Sequence, residues 1–179
     1  MRLIDLETAK PEFQALKAAQ ELLDQNYTIL FPCDTGHRLL ARAGLSTAVN
    51  PPENYAEFVV SEDCDWQKFV RSQPEGAADF VSERWPGSVT LIFARAETEA
   101  LAAGDKIALR MPAASPNRGF HTLVQLCDFP LRISGAAYSN RQLAEENLAG
   151  LEYGFWDAKL ETPAVEVWDL TGRHPLKAV

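Results

Sequence analysis

The sequence is poor in the residues that announce the simplest chemistries. Only three cysteines are present, Cys33, Cys64 and Cys127, an odd and widely spaced set with no C-x-x-C. That excludes a disulfide framework and suits a reducing compartment. The three histidines, His37, His121 and His174, are scattered, and only Cys33 and His37 stand at i, i+4. No metal site is expected from such spacing. No apolar run approaches the ~20 residues of a membrane helix. The amino terminus, MRLIDLETAKPEF, carries an acid by its fifth residue and no apolar core of signal-peptide length. A cytoplasmic protein without a membrane partner is the expectation. Repeats, low-complexity tracts and linkers are absent too. Neither G-x-G-x-x-G nor G-x-x-x-x-G-K-[ST] occurs, so any phosphate must be held by cationic side chains and backbone amides in a cleft.

What is present describes an ordinary folded chain. At 179 residues, residues 1–179 fit one domain able to bury roughly 70% of its unfolded surface. Hydrophobic residues make up 46% and charged residues 23%, as in globular proteins generally. The net charge of −8 opposes broad nucleic-acid affinity, which phosphate neutralisation drives. The charge is uneven, however. From Arg84 to Arg141 there are seven Lys/Arg against four Asp/Glu, while the remainder is strongly acidic. The middle segment either builds a basic face for a nucleotide or RNA, or is a solvated mixed surface.

Periodicity places a helix over Glu12–Gln25, with Phe13, Leu16, Ala19 and Leu22/Leu23 on one side and Pro11 in its first turn. Strands are predicted at Tyr27–Phe31, which Pro32 ends, and at Tyr55–Val60, Ser88–Ala94, Lys106–Met111, Leu131–Ser134 and Val165–Leu170. Helices are predicted at Asp65–Arg71, Gly76–Trp85, Asn117–Cys127 and Arg141–Leu148. This uneven alternation points to an α/β (α+β) fold with a mixed sheet rather than a doubly wound one.

Short blocks stand in a telling order: LFPCDTGHRLL (Leu30–Leu40), WPGSVTLIFAR (Trp85–Arg95), KIALRMP (Lys106–Pro112), PLRISGAA (Pro130–Ala137) and TPAVEVWDLTG (Thr162–Gly172). Order and spacing resemble the YrdC-like, or threonylcarbamoyl-AMP synthase, family over about Glu12 to Gly172. The resemblance implies a single domain with a twisted mixed β-sheet, surrounding helices and a concave, positively charged cleft. It also implies ATP (with magnesium), L-threonine and bicarbonate as substrates, and threonylcarbamoyladenosine in tRNA as the downstream product. Binding of double-stranded RNA is a further implication. Such chemistry needs cations for the phosphates and a dry site for a labile carbamate.

The polar signatures depart from the family pattern. In the first block Phe31, Pro32, Asp34, Thr35 and Leu39 match YPTDTVYGL, while Cys33, Gly36, His37 and Arg38 do not. Asp34 and Thr35 are either ligand-binding residues or caps of a following helix. A nucleophilic Cys33–His37–Asp34 arrangement requires a helix to begin right after Pro32. Between Leu39 and Tyr55 the segment ARAGLSTAVNPPEN is too short for the family's helix plus K-x-R-P, and holds Arg42 but no Lys. WPGSVTLIFAR reads as architecture, with Trp85 packing and Pro86-Gly87 turning. Arg110 is the candidate for a nucleotide or carboxylate contact, with a surface salt bridge as the alternative. PLRISGAA puts Gly135 and Ala137 where the family has the serine and asparagine of S-x-N. Ser134 precedes them, and Ser139 and Asn140 follow as possible replacements. Asp169 reads as a turn or cap residue.

Three functions follow as expectations. One is a catalytically degenerate member that binds a nucleotide, a small acid or RNA. Another is a synthase rebuilt around Arg110, Arg118, Ser134, Ser139 and Asn140. The third is an RNA-binding module on the basic middle segment.

Overall fold

The computed structural model describes residues 1–7, 12–44, 56–71, 73–97 and 105–178, with only the backbone of 56 and 134–136. The segment read as too short for the family's helix plus K-x-R-P, with Arg42 at its start and Pro51-Pro52 near its end, therefore lies largely outside the described residues. The strands are β1 (Arg2–Asp5), β2 (Ile29–Cys33), β3 (Gly36–Arg42), β4 (Ala56–Val59), β5 (Val89–Ala94), β6 (Lys106–Arg110), β7 (Leu131–Tyr138), β8 (Tyr153–Trp156), β9 (Glu166–Asp169) and β10 (Leu176–Lys177). Helices are α1 (Glu12–Asp24), α2 (Ala77–Ser82), α3 (Arg118–Leu126) and α4 (Arg141–Asn147), with a 3-10 turn at Trp66–Phe69.

Among the described residues the strands form one mixed sheet in the order β1-β8-β2-β3-β7-β4-β6-β5-β9-β10. β1 with β8, β2 with β8, β4 with β6 and β5 with β9 run parallel, and the other neighbours are antiparallel. The expected mixed sheet with surrounding helices is what forms.

Side chains alternate across the strands and so divide the core in two. Ile29, Phe31 and Cys33 of β2, Leu40 of β3, Val59 of β4 and Leu131 and Ile133 of β7 pack under α1 and α3. On the other face, Leu30, Leu39 and Trp156 meet Ala144 of α4, while Phe58, Leu91, Phe93, Ile107 and Leu109 meet α2 and the 3-10 turn. Trp85 fulfils its expected architectural role. It packs edge-on to Trp66 with ring centroids 5.4 Å apart, and its indole N–H donates to the Val89 carbonyl at 2.9 Å.

Several local expectations change. The helix that a capping role for Asp34 and Thr35, or a Cys33–His37 pairing, would require after Pro32 does not form: Gly36 takes φ 104° and turns the chain into the β2–β3 hairpin. A Cβ on Gly36 would come within 2.9 Å of the Ala137 methyl, so the turn also needs glycine for space. The hairpin carries β2 through Pro32 to Cys33, since pairing with β8 has already ended at Leu30 and no ladder N–H is needed beyond it. Strand β7 runs on to Tyr138, four residues past its expected end. Phe13 is 53% exposed, and the buried face of α1 is Ala15, Leu16, Ala19 and Leu23. The helix expected over Asp65–Arg71 shrinks to the single 3-10 turn, and that over Gly76–Trp85 to Ala77–Ser82.

Candidate functional site

The β2–β3 turn is the centre of the site. On one side of it, Thr35, Gly36 and His37 line a cavity of about 630 Å³ with Ala137, Ser139, Asn140, Trp156 and Asp157. On the other side, Pro32 helps line a cavity of about 600 Å³ with Ser115, Asn117 and Arg118 at the start of α3. Asp157 and Leu160 line both, so the segment after β8 is their common wall. Thus the structure brings Thr35, Ser139 and Asn140 to one cavity and Arg118 to its neighbour. Asn140 also caps α4, its Oδ1 accepting the Leu143 N–H at 3.2 Å. The Ser134 backbone pairs with Leu39 in the sheet.

Asp34, in the turn itself, and Arg110 line neither of these two cavities. Asp34 is 3% exposed and Arg110 is fully buried. Val59 pairs with Arg110 and Arg110 with Thr90, which puts these residues on the α1/α3 face of the sheet. There Arg110 Nη2 donates to Glu57 Oε1, so the salt bridge considered for Arg110 exists but is buried. Thr90 Oγ1 donates to the same Glu57 oxygen at 3.4 Å, and Arg38 Nη2 lies 4.0 Å from the other. Arg38 also reaches Thr35 Oγ1 at 3.5 Å, which links this cluster to the cavity lip. Burial raises the Asp34 pKa, Arg110 opposes that shift, and Glu57 reinforces it. Burial likewise drives the Cys33 thiol far up, with the Arg110 charge opposing, so Cys33 is inert as a nucleophile near neutral pH.

His37 has no part in a Cys33–His37 pairing along a helix. Its Nδ1 meets the Tyr138 carbonyl at 3.2 Å, and its Nε2 faces the Asp157 amide at 3.1 Å. The amide can only donate, so Nε2 accepts and the proton sits on Nδ1, donating to Tyr138. The ring stacks on Trp156 with centroids 3.7 Å apart. Burial lowers the His37 pKa, with the Tyr138 hydrogen bond opposing. This histidine holds the common wall against β3 as a neutral ring.

The remaining charges make the cavity at the start of α3 amphoteric. Glu7, Glu12, Asp157 and Glu161 face it with only Arg118 and Lys159 as cations, and Lys159 pairs with Glu7 at 3.3 Å. No three His, Cys, Asp or Glu side chains gather as a metal set among the described residues. None of the helices described is long and apolar enough to cross a membrane.

Glu57, Arg38, His37 and Asp157 are the site residues that the sequence reading did not select. Glu57 alone left a signal, a carboxylate inside the apolar strand AEFVV. Asp169 is a turn residue as expected, accepting the Thr171 amide at 2.8 Å, and it also pairs with Lys106.

Comparison with known proteins bears on the fold and the family. No curated protein matches the sequence. The structure superposes on P. abyssi Sua5, both as a double-substitution variant (TM-score 0.79) and in complex with L-threonine (TM-score 0.78), at 22% identity in each case. These matches cover 99% of this chain but only 59% and 56% of the Sua5 chains, so it spans under three fifths of their length. E. coli YciO superposes with a TM-score of 0.76 at 16% identity, covering 98% of this chain and 92% of its own. The family model for Sua5, YciO and YrdC, described as "Telomere recombination", matches residues 21–152. The chain belongs to the Sua5/YciO/YrdC family and is thereby related to the threonylcarbamoyl-AMP synthases.

Proposed function

We propose that this protein is a divergent family member that keeps a nucleotide-binding cleft but has lost the synthase reaction. The carrying observation is the cavity beside the β2–β3 turn, lined by Thr35, Ser139 and Asn140 together with Ala137, the residue that the sequence resemblance aligns with the signature asparagine. Its volume of about 630 Å³ falls within the ~300–1,000 Å³ range of small-ligand pockets. Hydroxyl and amide groups remain to orient a ligand, whereas a synthase must also neutralise a triphosphate. Of the cations that line the two cavities, Arg141 pairs with Glu145 and Lys159 with Glu7, which leaves Arg118 among the acids Glu12, Asp157 and Glu161. The expected occupant is a nucleotide of low charge.

An RNA-binding role draws less support. Of the seven cations from Arg84 to Arg141, Arg84, Lys106, Arg110 and Arg141 each have a carboxylate within 4.0 Å. Cations already paired within the protein release fewer counterions on binding a duplex.

Calorimetric titration with AMP and with ATP, each with and without L-threonine and bicarbonate, tests the proposal alongside a pyrophosphate-release assay. The expected result is nucleotide binding without threonine-dependent pyrophosphate release. Release at a full enzymatic rate overturns the degenerate reading and restores a synthase that uses magnesium-ATP and L-threonine. No heat with any nucleotide overturns the cleft.

A further inference from the structure

Two arginines and one glutamate on the α1/α3 face of the sheet, joined to the cavity lip through Arg38 and Thr35, form a closed electrostatic unit. Arg110 is fully buried, and of its donors Nη2 goes to Glu57 while Nε and Nη1 have no hydrogen-bond partner among the described residues. Arg38 reaches the other Glu57 oxygen with Nη2, reaches Thr35 with Nη1, and leaves Nε unpartnered. A guanidinium with spare, fixed donors in a buried setting is a strong receptor for an oxyanion, because a charged acceptor is favoured there over a neutral one. Here that acceptor is supplied from within the chain. Thr90 Oγ1 adds a third donor to Glu57 and fixes its orientation.

We propose that Glu57 is a resident carboxylate occupying an anion site made by Arg110 and Arg38, and that it sets the cleft against polyphosphates. An incoming phosphate must displace a group that is already in place, held by two cations and a hydroxyl, and tethered at no entropic cost of association. It must also enter beside Asp34, a second acid within the electrostatic reach of Arg110. The Glu57 side chain is 20% exposed, against 0% for Arg110, so the carboxylate stands between the buried guanidinium and solvent. Specificity here comes from an element that repels the wrong ligand. The inference deepens the proposed function by naming the charge class of the ligand, and it rests on that reading only for the cleft's location.

Glu57→Gln removes the resident charge while preserving size and hydrogen bonding. Inorganic pyrophosphate, titrated by calorimetry at constant ionic strength, is the probe. Wild-type protein is expected to bind it at least tenfold more weakly than E57Q, and the double variant E57Q/R38Q is expected to lose the gain. Equal binding by wild type and E57Q overturns the proposal, and so does a gain that survives in E57Q/R38Q. Because E57Q strands a buried guanidinium, refolding yield in pyrophosphate against chloride of equal ionic strength is the second readout. A higher yield in pyrophosphate supports an anion site, and equal yields overturn it. No heat with AMP or ATP would refute the proposed function, while tighter pyrophosphate binding by E57Q would still uphold the anion site, so the two failures are distinguishable.

Discussion

His37 shows how a single side chain can hold two cavities apart. Both ring nitrogens are committed, Nδ1 as donor to Tyr138 and Nε2 as acceptor from the Asp157 amide, and Trp156 covers one ring face. Protonation would set an N–H against an N–H, and burial already holds the folded pKa below the ordinary histidine value. The unfolded chain takes up the proton first, near pH 6.5. The stabilisation from neutral His37 is therefore fully present above about pH 6.5 and lost as pH falls from there toward the folded pKa. The urea midpoint of the wild type is expected to drop more between pH 8 and pH 5 than that of His37→Gln. Gln keeps a donor and an acceptor without titrating. Parallel curves would place the titrating group elsewhere. At this scale the sequence pointed to the cavity residues Thr35, Ser139 and Asn140 through their places in recognisable blocks. Glu57 and Arg38 were harder to find because their roles come from partners across the sheet, and Glu57 lies 53 positions from Arg110.

Helix α3 joins the sheet to the cavity lined by Pro32 and Arg118 through one side chain, Asn117. Its Oδ1 accepts the Phe120 amide at 2.9 Å, and its Nδ2 donates to the Pro32 carbonyl at 3.2 Å, next to the β2–β3 turn. Asn117→Ala removes the cap and this bridge together. A cap alone is worth about 1 kcal/mol, and the lost link to β2 brings the expected destabilisation to about 1–2 kcal/mol in chemical denaturation. Wild-type stability would mean that water replaces both bonds. Elements with a strong periodic pattern, α1, α3, β5 and β6, were legible to within a residue or two. β3 was not, because GHRLLAR alternates poorly. All but two of its residues are buried, so both faces carry apolar groups and the period-2 signal vanishes. β1, β8 and β10 have four, four and two residues, too few for any period to show, and tertiary pairing alone defines them.

For the molecule as a whole, the net charge of −8 and the local excess of +3 between Arg84 and Arg141 make opposite statements about RNA. The placement of the cations in the fold argues against a duplex-binding face. Arg110 is buried against Glu57, Lys106 pairs with Asp169 at 2.8 Å, and Arg141 pairs with Glu145 at 3.1 Å. Arg84 lies over the Phe80 ring, 3.7 Å from its centroid. A basic segment in sequence thus disperses into separate pairs, whereas duplex recognition requires cations spaced along one surface to meet successive phosphates. A gel-shift titration with a 20-base-pair RNA duplex at about 50 mM KCl is expected to show no retention at micromolar protein. Low salt is the stringent condition, since each phosphate contact strengthens as salt falls. Retention that weakened steeply between 50 and 200 mM would show that unpaired cations form a continuous track after all, and would favour RNA on the surface over the proposed small ligand in the cleft.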